Sequence, residues 1–187
     1  MEEPSVIFVW NDEMGLGKTG VIHWKELGNG MKLSLENASR LMNDAQLLLA
    51  NKRSASALAL LVVAWEEIGK AVLLLKNYKS QTDVEGATLR EIFGSHNAKQ
   101  TAIIHNQDIL WQKPNIQNIE MDKKLKASLR WTKETVGLYV NWDAKRKGWS
   151  CPKDDRTFSD MVQFMYANVF LFLPTITECV NEALKTS

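Results

Sequence analysis

The segment from Ser54 to Tyr78 is apolar on nearly every side over its first half. A helix on the surface of a protein carries one apolar stripe, whereas a helix that is apolar all round must be covered on all sides. We therefore predict that this helix lies at the centre of an all-α bundle of antiparallel helices. The chain has 187 residues, 45% of them apolar, which is enough for one domain with a sizeable core.

The preceding segment, Leu33 to Ala50, has apolar residues at three- and four-residue steps and predicts a helix that Ser34 caps. The polar stretch at 51–54 is short, so the two helices should be antiparallel neighbours. Asn37 and Asp44 fall on the apolar stripe. We therefore expect both side chains to face inward and to need polar partners.

Further helices are predicted over Thr88–Phe93, from His96 to about Gln112 with a stop at Pro114, over Ile119–Val140 and over Thr157–Leu184. Pro174 lies inside the last pattern and predicts a kink or break near Leu173. Residues 141–155 are predicted to be irregular, with Trp142 and Trp149 closing one end of the bundle. Outside residues 5–10 the chain has no convincing alternation of strand period.

Residues 12–19 read DEMGLGKT and follow the apolar run Val6–Trp10, a pattern typical of a phosphate-binding loop. Such a loop needs a helix behind it and a later acidic strand end, and neither is convincing here. The motif at 28–30, Gly-Asn-Gly, also interrupts the helical pattern. We predict an N-terminal arm or short hairpin over residues 1–30 and a helical domain over 31–187. An ATP-regulated switch is the alternative.

The bulk composition excludes several classes of site. The net charge is +1, so any nucleic-acid site must be a local patch. Cys151 and Cys179 fit no metal-ligand spacing and suggest a reducing compartment, and we predict no metal and no cofactor. The longest apolar run, Ala57–Trp65, is far shorter than a bilayer span, so no membrane partner and a cytoplasmic location are expected.

Charged residues appear abruptly after the apolar half of the central helix, as Glu66-Glu67-Ile68-Gly69-Lys70. Glu66 and Lys70 are four residues apart and share a face, whereas Glu67 lies about 100° away. Two interpretations stay open. The residues form a structural ion pair, or they form a polar cluster built into the bundle for binding or catalysis.

The sequence Gly94-Ser95 predicts a break before the helix that begins at His96, with Ser95 as its cap. His96 and Lys99 are three residues apart and should be neighbours on that helix. On one continuous helix Arg90 and His96 would point about 120° apart, so this break is needed if the two side chains are to act together.

Three ordered blocks are specific to one family: ENASRLMNDAQLLLANKRSASALALLVVAWEEIGKAVLLL at 36–75, SHNAKQ at 95–100 and LYVNWDAKRKGWSCP at 138–152. Together they resemble the AbiV family of bacterial abortive-infection proteins, a branch of the HEPN superfamily. The resemblance implies an all-α HEPN bundle, usually a homodimer, that defends bacteria against phage by shutting down the infected cell. It also places the chain in the bacterial cytoplasm.

Many HEPN proteins are metal-independent ribonucleases whose motif is an arginine followed four to six residues later by a histidine. Arg90 and His96 match this motif, although Glu91 stands where such nucleases often have a small polar residue. The resemblance implies that His96 transfers protons and Arg90 grips phosphate, with Lys99 stabilising charge. Glu66 or Glu67 would orient the histidine or pair with Lys70 or Lys99.

The implied function is a ribonuclease toxin that cleaves RNA, with a phage-encoded activator protein as a further expected partner. The alternative is a non-catalytic HEPN module that binds a phage protein or the translation machinery. The predicted catalytic residues are Arg90, His96 and Lys99. The predicted supporting polar cluster consists of Glu66, Glu67, Lys70, Asn37 and Asp44.

Overall fold

The computed structural model describes residues 20–106, 141–143, 148–150 and 156–186. The fold is all-α, as predicted. Its elements in chain order are β1 (Val21–Ile22), a 3-10 turn (Trp24–Glu26), α1 (Leu27–Ala50), α2 (Ser54–Lys79), β2 (Val84–Glu85), α3 (Gly86–Leu89), a π-helical turn (Arg90–Gly94), α4 (His96–His105), β3 (Asn141–Asp143), β4 (Gly148–Ser150) and α5 (Arg156–Lys185).

Helix α2 is the central helix of the described bundle and packs against α1, α4 and α5. Its range, Ser54–Lys79, differs by one residue from the prediction. Trp65, near its middle, is fully buried and meets Phe172 of α5 edge to face, with ring centroids 5.5 Å apart. Only three residues separate α1 from α2, so the two long helices that pack together must run antiparallel.

Helix α1 begins at Leu27, six residues before the predicted start at Leu33. The glycines expected to interrupt the pattern are helical because they lie at close contacts. A Cβ on Gly28 would stand 2.8 Å from the Leu184 side chain, and one on Gly30 would stand 3.2 Å from Leu74. This packing outweighs the low helix propensity of glycine. Ser34 is therefore buried inside the helix and is not its cap.

Two short antiparallel strands join segments that the sequence did not predict to be strands. In β1 and β2, Val21 pairs with Glu85 and Ile22 with Val84. Val84 is fully buried, and the Trp24 backbone N–H donates to Asp83 Oδ1 at 2.9 Å beside the strands. Each strand has only two residues, which is too short to give an alternating pattern in the sequence.

A second antiparallel pair lies in the segment predicted to be irregular. Strands β3 and β4 pair with Trp142 opposite Trp149. The prediction of an irregular segment is therefore wrong for these six residues. Their side chains lie outside the described part of the structure, so the predicted aromatic closure of the bundle stays a prediction.

Helix α5 runs without a break from Arg156 to Lys185, so of the two predicted outcomes near Leu173 the break is wrong and the kink stays a prediction. Pro174 removes one N–H donor, and the carbonyl that loses it belongs to Phe170, which is exposed and accessible to water. The flanking residues Phe172 and Ile176 are fully buried against the core. Their packing keeps the two halves of the helix together.

Several predictions lie outside the described residues. They concern the DEMGLGKT segment with the preceding apolar run, the stop at Pro114 and the helix over Ile119–Val140. The division of the chain at residue 30 also stays a prediction. No helix within residues 20–106 and 156–186 is both long enough and apolar enough to cross a membrane.

Candidate functional site

The chain breaks between the π-helical turn and α4, where the sequence predicted a break. Ser95 has extended backbone angles, φ −93° and ψ 105°, and its hydroxyl accepts a hydrogen bond from the Ala98 N–H at 3.1 Å. Ser95 is therefore the N-cap of α4, as predicted. His96 becomes the first residue of that helix. The break changes the chain direction between Arg90, which opens the π-helical turn, and His96.

The side chains of Glu66, His96, Lys99 and Gln100 meet between α2 and α4, and we call them the Glu66 cluster. Glu66 Oε2 lies 2.7 Å from His96 Nδ1 and 3.5 Å from Lys99 Nζ. Glu66 Oε1 accepts a hydrogen bond from Gln100 Nε2 at 2.7 Å. One carboxylate of α2 thus contacts three polar side chains within the first two turns of α4.

The close approach of α2 and α4 depends on Gly69, one turn after Trp65. A Cβ at this position would lie 1.8 Å from the backbone carbonyl oxygen of Lys99, so no larger residue fits without movement of a backbone. The Trp65 indole N–H donates to the Gln100 carbonyl at 2.9 Å. Together these contacts fix the position of α4 along the axis of α2. They thereby also fix the position of His96, the first residue of α4.

The Glu66 cluster extends from the core to the surface. Glu66, Lys99 and Gln100 are buried, whereas the His96 side chain is 60% exposed. A carboxylate only accepts hydrogen bonds, so a neutral His96 must carry its proton on Nδ1 to bond with Glu66. Nε2 is then an acceptor, and it makes no hydrogen bond with any other described residue. This arrangement is suited to taking a proton from a bound molecule.

Glu67 and Lys70 form a separate ion pair along α2. Lys70 Nζ donates to both Glu67 carboxylate oxygens, at 2.7 and 2.8 Å. The predicted pairing of Lys70 with Glu66 is wrong, because the Glu66 carboxylate is turned toward α4 and bonded there. The sequence left open a structural ion pair or a polar cluster within the bundle. The structure contains both: Glu67 makes a local ion pair, and Glu66 belongs to a polar cluster.

Asn37 and Asp44 do not join the Glu66 cluster. Arg40 lies between them on α1 and donates to Asn37 Oδ1 at 2.8 Å and to Asp44 Oδ2 at 3.1 Å. The Arg40 side chain is 63% exposed and the Asp44 side chain 44% exposed, so Asn37 and Asp44 bond to a surface cation and do not face the core as predicted; their support of the site stays a prediction. The apolar stripe that packs inward is displaced from them and contains Leu41 and Ala45.

Arg90 and Lys99 have different surroundings. Arg90 is exposed, and its guanidinium makes no hydrogen bond or ion pair with any other described residue, His96 included. Lys99 is buried and contacts Glu66 and, at 3.5 Å, the carbonyl of Phe93. His96 and Lys99 are close to each other, as predicted, because both side chains contact Glu66.

Sequence reasoning missed Gln100, Trp65 and Gly69 as parts of the site. Gln100 stands four residues after His96, so helical spacing alone places the two on one face and could have identified it. The role of Gly69 depends on where α4 packs, and its role as a contact point has no local sequence signal. Trp65 is recognisable in the sequence only as a core residue.

Comparison with known proteins identifies one family. The HEPN model of AbiV matches residues 26–170. This match begins in the 3-10 turn before α1, includes α1 to α4 with the whole Glu66 cluster, and ends inside α5. No curated protein and no solved structure matches the chain.

Proposed function

This chain belongs to the AbiV family of HEPN-domain abortive-infection proteins, and we propose that it acts by cleaving RNA with His96 as the proton-transfer group. The observation that carries the proposal is the 2.7 Å contact between His96 Nδ1 and the buried carboxylate of Glu66. It combines an exposed imidazole with a ring orientation fixed by Glu66 and an Nε2 that has no partner among the described residues. These are the properties of a general base held ready for a substrate proton.

In the proposed reaction, Nε2 of His96 takes the proton of a ribose 2′-hydroxyl. The 2′-oxygen attacks the adjacent phosphorus, the bond from phosphorus to the 5′-oxygen breaks, and an acid protonates the leaving oxygen. The products are a 2′,3′-cyclic phosphate and a 5′-hydroxyl end. In the homodimer that we propose, His96 of the second copy is in its protonated form and gives its Nε2 proton to the leaving oxygen, so two copies of the site act on one RNA strand.

Arg90 is the proposed phosphate-binding residue. Its guanidinium is exposed and unpaired among the described residues, so it is available to bind two phosphate oxygens at once. Its position on the turn just before the break puts it on the same short stretch of chain as His96. Glu91, also exposed, lies beside it and reduces the local positive charge.

Lys99 is better explained as a counter-ion than as a catalytic cation. Its ammonium group is buried and lies 3.5 Å from Glu66 Oε2. A positive charge in that position offsets the charge of the buried carboxylate that contacts His96. We therefore propose that Lys99 supports the Glu66 cluster and does not touch the phosphate.

The test is cleavage of total tRNA or mRNA by the purified protein in the presence of EDTA, which inhibits contaminating metal-dependent nucleases. His96→Ala should lower the cleavage rate at least about 100-fold, because it removes the base. His105→Ala is the matched control, since His105 is an exposed histidine at the other end of the same helix, and its rate should be unchanged.

Equal cleavage by wild type and His96→Ala would refute the proposal. The same variants should be tested for protection of phage-infected cells. Full protection by His96→Ala would favour the alternative, a HEPN module that acts by binding a phage protein or the translation machinery. The exposed Arg90, which makes no contact with His96, is the observation compatible with that alternative.

A further inference from the structure

Gln100 holds the one oxygen of Glu66 that His96 does not use. Gln100 Nε2 lies 2.7 Å from Glu66 Oε1, and both residues are buried. Because a carboxylate accepts hydrogen bonds and never donates them, the amide must turn its nitrogen toward Glu66. The hydrogen bond therefore has a defined direction, from α4 to α2.

The two carboxylate oxygens of Glu66 have different partners. Oε1 accepts from Gln100, while Oε2 faces His96 and Lys99. The terminal torsion of a glutamate side chain is soft, so a carboxylate with one free oxygen can rotate and tilt. The bond from Gln100 restricts that rotation. It keeps Oε2 in line with His96 Nδ1.

The backbone of Gln100 is fixed as well as its side chain. Its carbonyl accepts the indole N–H of the fully buried Trp65 at 2.9 Å. Trp65 and Glu66 are adjacent in α2, so two consecutive residues of one helix hold the same residue of the other. The Trp65 bond would form with any residue at this position, but a side chain that only filled space would not need the bond to Glu66, and an apolar side chain would be better suited to a buried position.

We infer that Gln100 is a positioning residue that fixes the Glu66 carboxylate and thereby keeps the proton of neutral His96 on Nδ1, with Nε2 free for a substrate. The effect on the imidazole is independent of any reaction. Its consequence for cleavage rests on the proposed function. Gln100 itself lies behind Glu66 and does not touch the substrate.

The direct measurement is the tautomer of His96, read from the imidazole ¹⁵N shifts of histidine-labelled protein above the pH at which the ring is protonated. The chain has 3 histidines, and His23 and His105 serve as internal references in the same spectrum. Gln100→Met removes the donor with little change of size. Gln100→Asn keeps the amide but shortens its reach by one methylene.

We expect wild-type His96 to carry its proton on Nδ1 and Gln100→Met to shift population toward the Nε2 tautomer. RNA cleavage should fall about tenfold, in kcat and not in KM, as expected for one net hydrogen bond. Gln100→Asn should change both readouts in the same direction and serves alone if the methionine variant fails to fold. The matched control is Gln46→Met, because Gln46 is an exposed glutamine of α1, and it should leave both readouts unchanged.

Unchanged His96 shifts in every folded Gln100 variant would overturn the inference. A wild type that cleaves RNA while those shifts stay constant would refute the role of Gln100 and leave the proposed function intact. A wild type that cleaves nothing while the tautomer responds to Gln100→Met would refute the proposed function and leave the positioning role intact.

Discussion

The Glu66 cluster and the polar group around Arg40 resemble each other in sequence and differ in structure. Each contains a carboxylate, an amide and a cationic side chain. In each, one residue lies three and four positions from two others on the same helix. The Arg40 group, with Asn37 and Asp44, lies within one helix and is largely exposed. The Glu66 cluster joins α2 to α4 across 30 to 34 positions of sequence and is buried except for His96.

The comparison shows that polar residues on an apolar helix become a site when a second helix covers them. Spacing along one helix predicts local pairs such as Arg40 with Asp44 or Lys70 with Glu67. It does not reveal which face meets another helix. Glu66 and Glu67 are adjacent, yet only Glu66 contacts α4, because neighbouring residues point about 100° apart.

The largest expected effect comes from the packing that brings α4 to Glu66. Gly69→Ala should lower the free energy of unfolding by about 3 kcal/mol, because its Cβ would overlap the Lys99 backbone and force α4 away from α2. Urea unfolding measures this change. Gly94→Ala is the matched control, since nothing lies within 4 Å of its added Cβ, and it should change stability by less than about 0.5 kcal/mol.

If Gly69→Ala were as stable as Gly94→Ala, the close contact of α2 and α4 would not exist in solution. The contrast between the two polar groups would then disappear, because nothing would cover Glu66.

The next largest effect is a difference in the free energy of unfolding lost when Glu66 or its neighbour Glu67 is replaced. Glu66→Gln should cost about 2 kcal/mol, because it leaves the buried Lys99 without a counter-ion and sets an amide against the Gln100 donor. Glu67→Gln should cost less, about 1 kcal/mol, since the Lys70 side chain is 19% exposed against 9% for Lys99 and reaches water more readily. Thermal unfolding and the EDTA cleavage assay measure both variants. Equal losses for the two glutamates would contradict the distinction between them.

The smallest effect is expected on α1. Arg40→Ala should change the free energy of unfolding by less than about 0.5 kcal/mol, because the Arg40 side chain is 63% exposed and its pairs are screened by water. It should leave RNA cleavage and the His96 imidazole shifts at wild-type values. A loss of cleavage in Arg40→Ala would return Asn37 and Asp44 to the functional site.

Local signals were sufficient for part of the fold and of the site. The all-apolar pattern identified α2 and its central position, and Gly94-Ser95 identified both the break and the cap of α4. Helical spacing made His96 and Lys99 neighbours. Each of these features is determined by residues within about two turns of each other, so the sequence contains the whole cause.

The features that sequence reasoning missed depend on distant residues. Helix α1 starts early because its glycines face Leu184 and Leu74, and no local rule anticipates those contacts. Strand β1 pairs with β2, which follows both α1 and α2 in the chain, so this pairing depends on how those two helices pack. The choice between Glu66 and Glu67 as the partner of His96 likewise required the position of α4. Tertiary contacts, and not propensity, decided all three.

The pairing of β1 with β2 gives the chain a mechanical linkage. Val21 is hydrogen-bonded beside Glu85, and Glu85 stands five residues before Arg90. The bond from Trp24 to Asp83 fastens the same two stretches at a second point. These two attachments therefore connect the start of the described chain to the segment that leads into the Arg90 turn, whereas His96 is attached to the core through Glu66 of α2. The two residues of the motif are thus held by different parts of the fold.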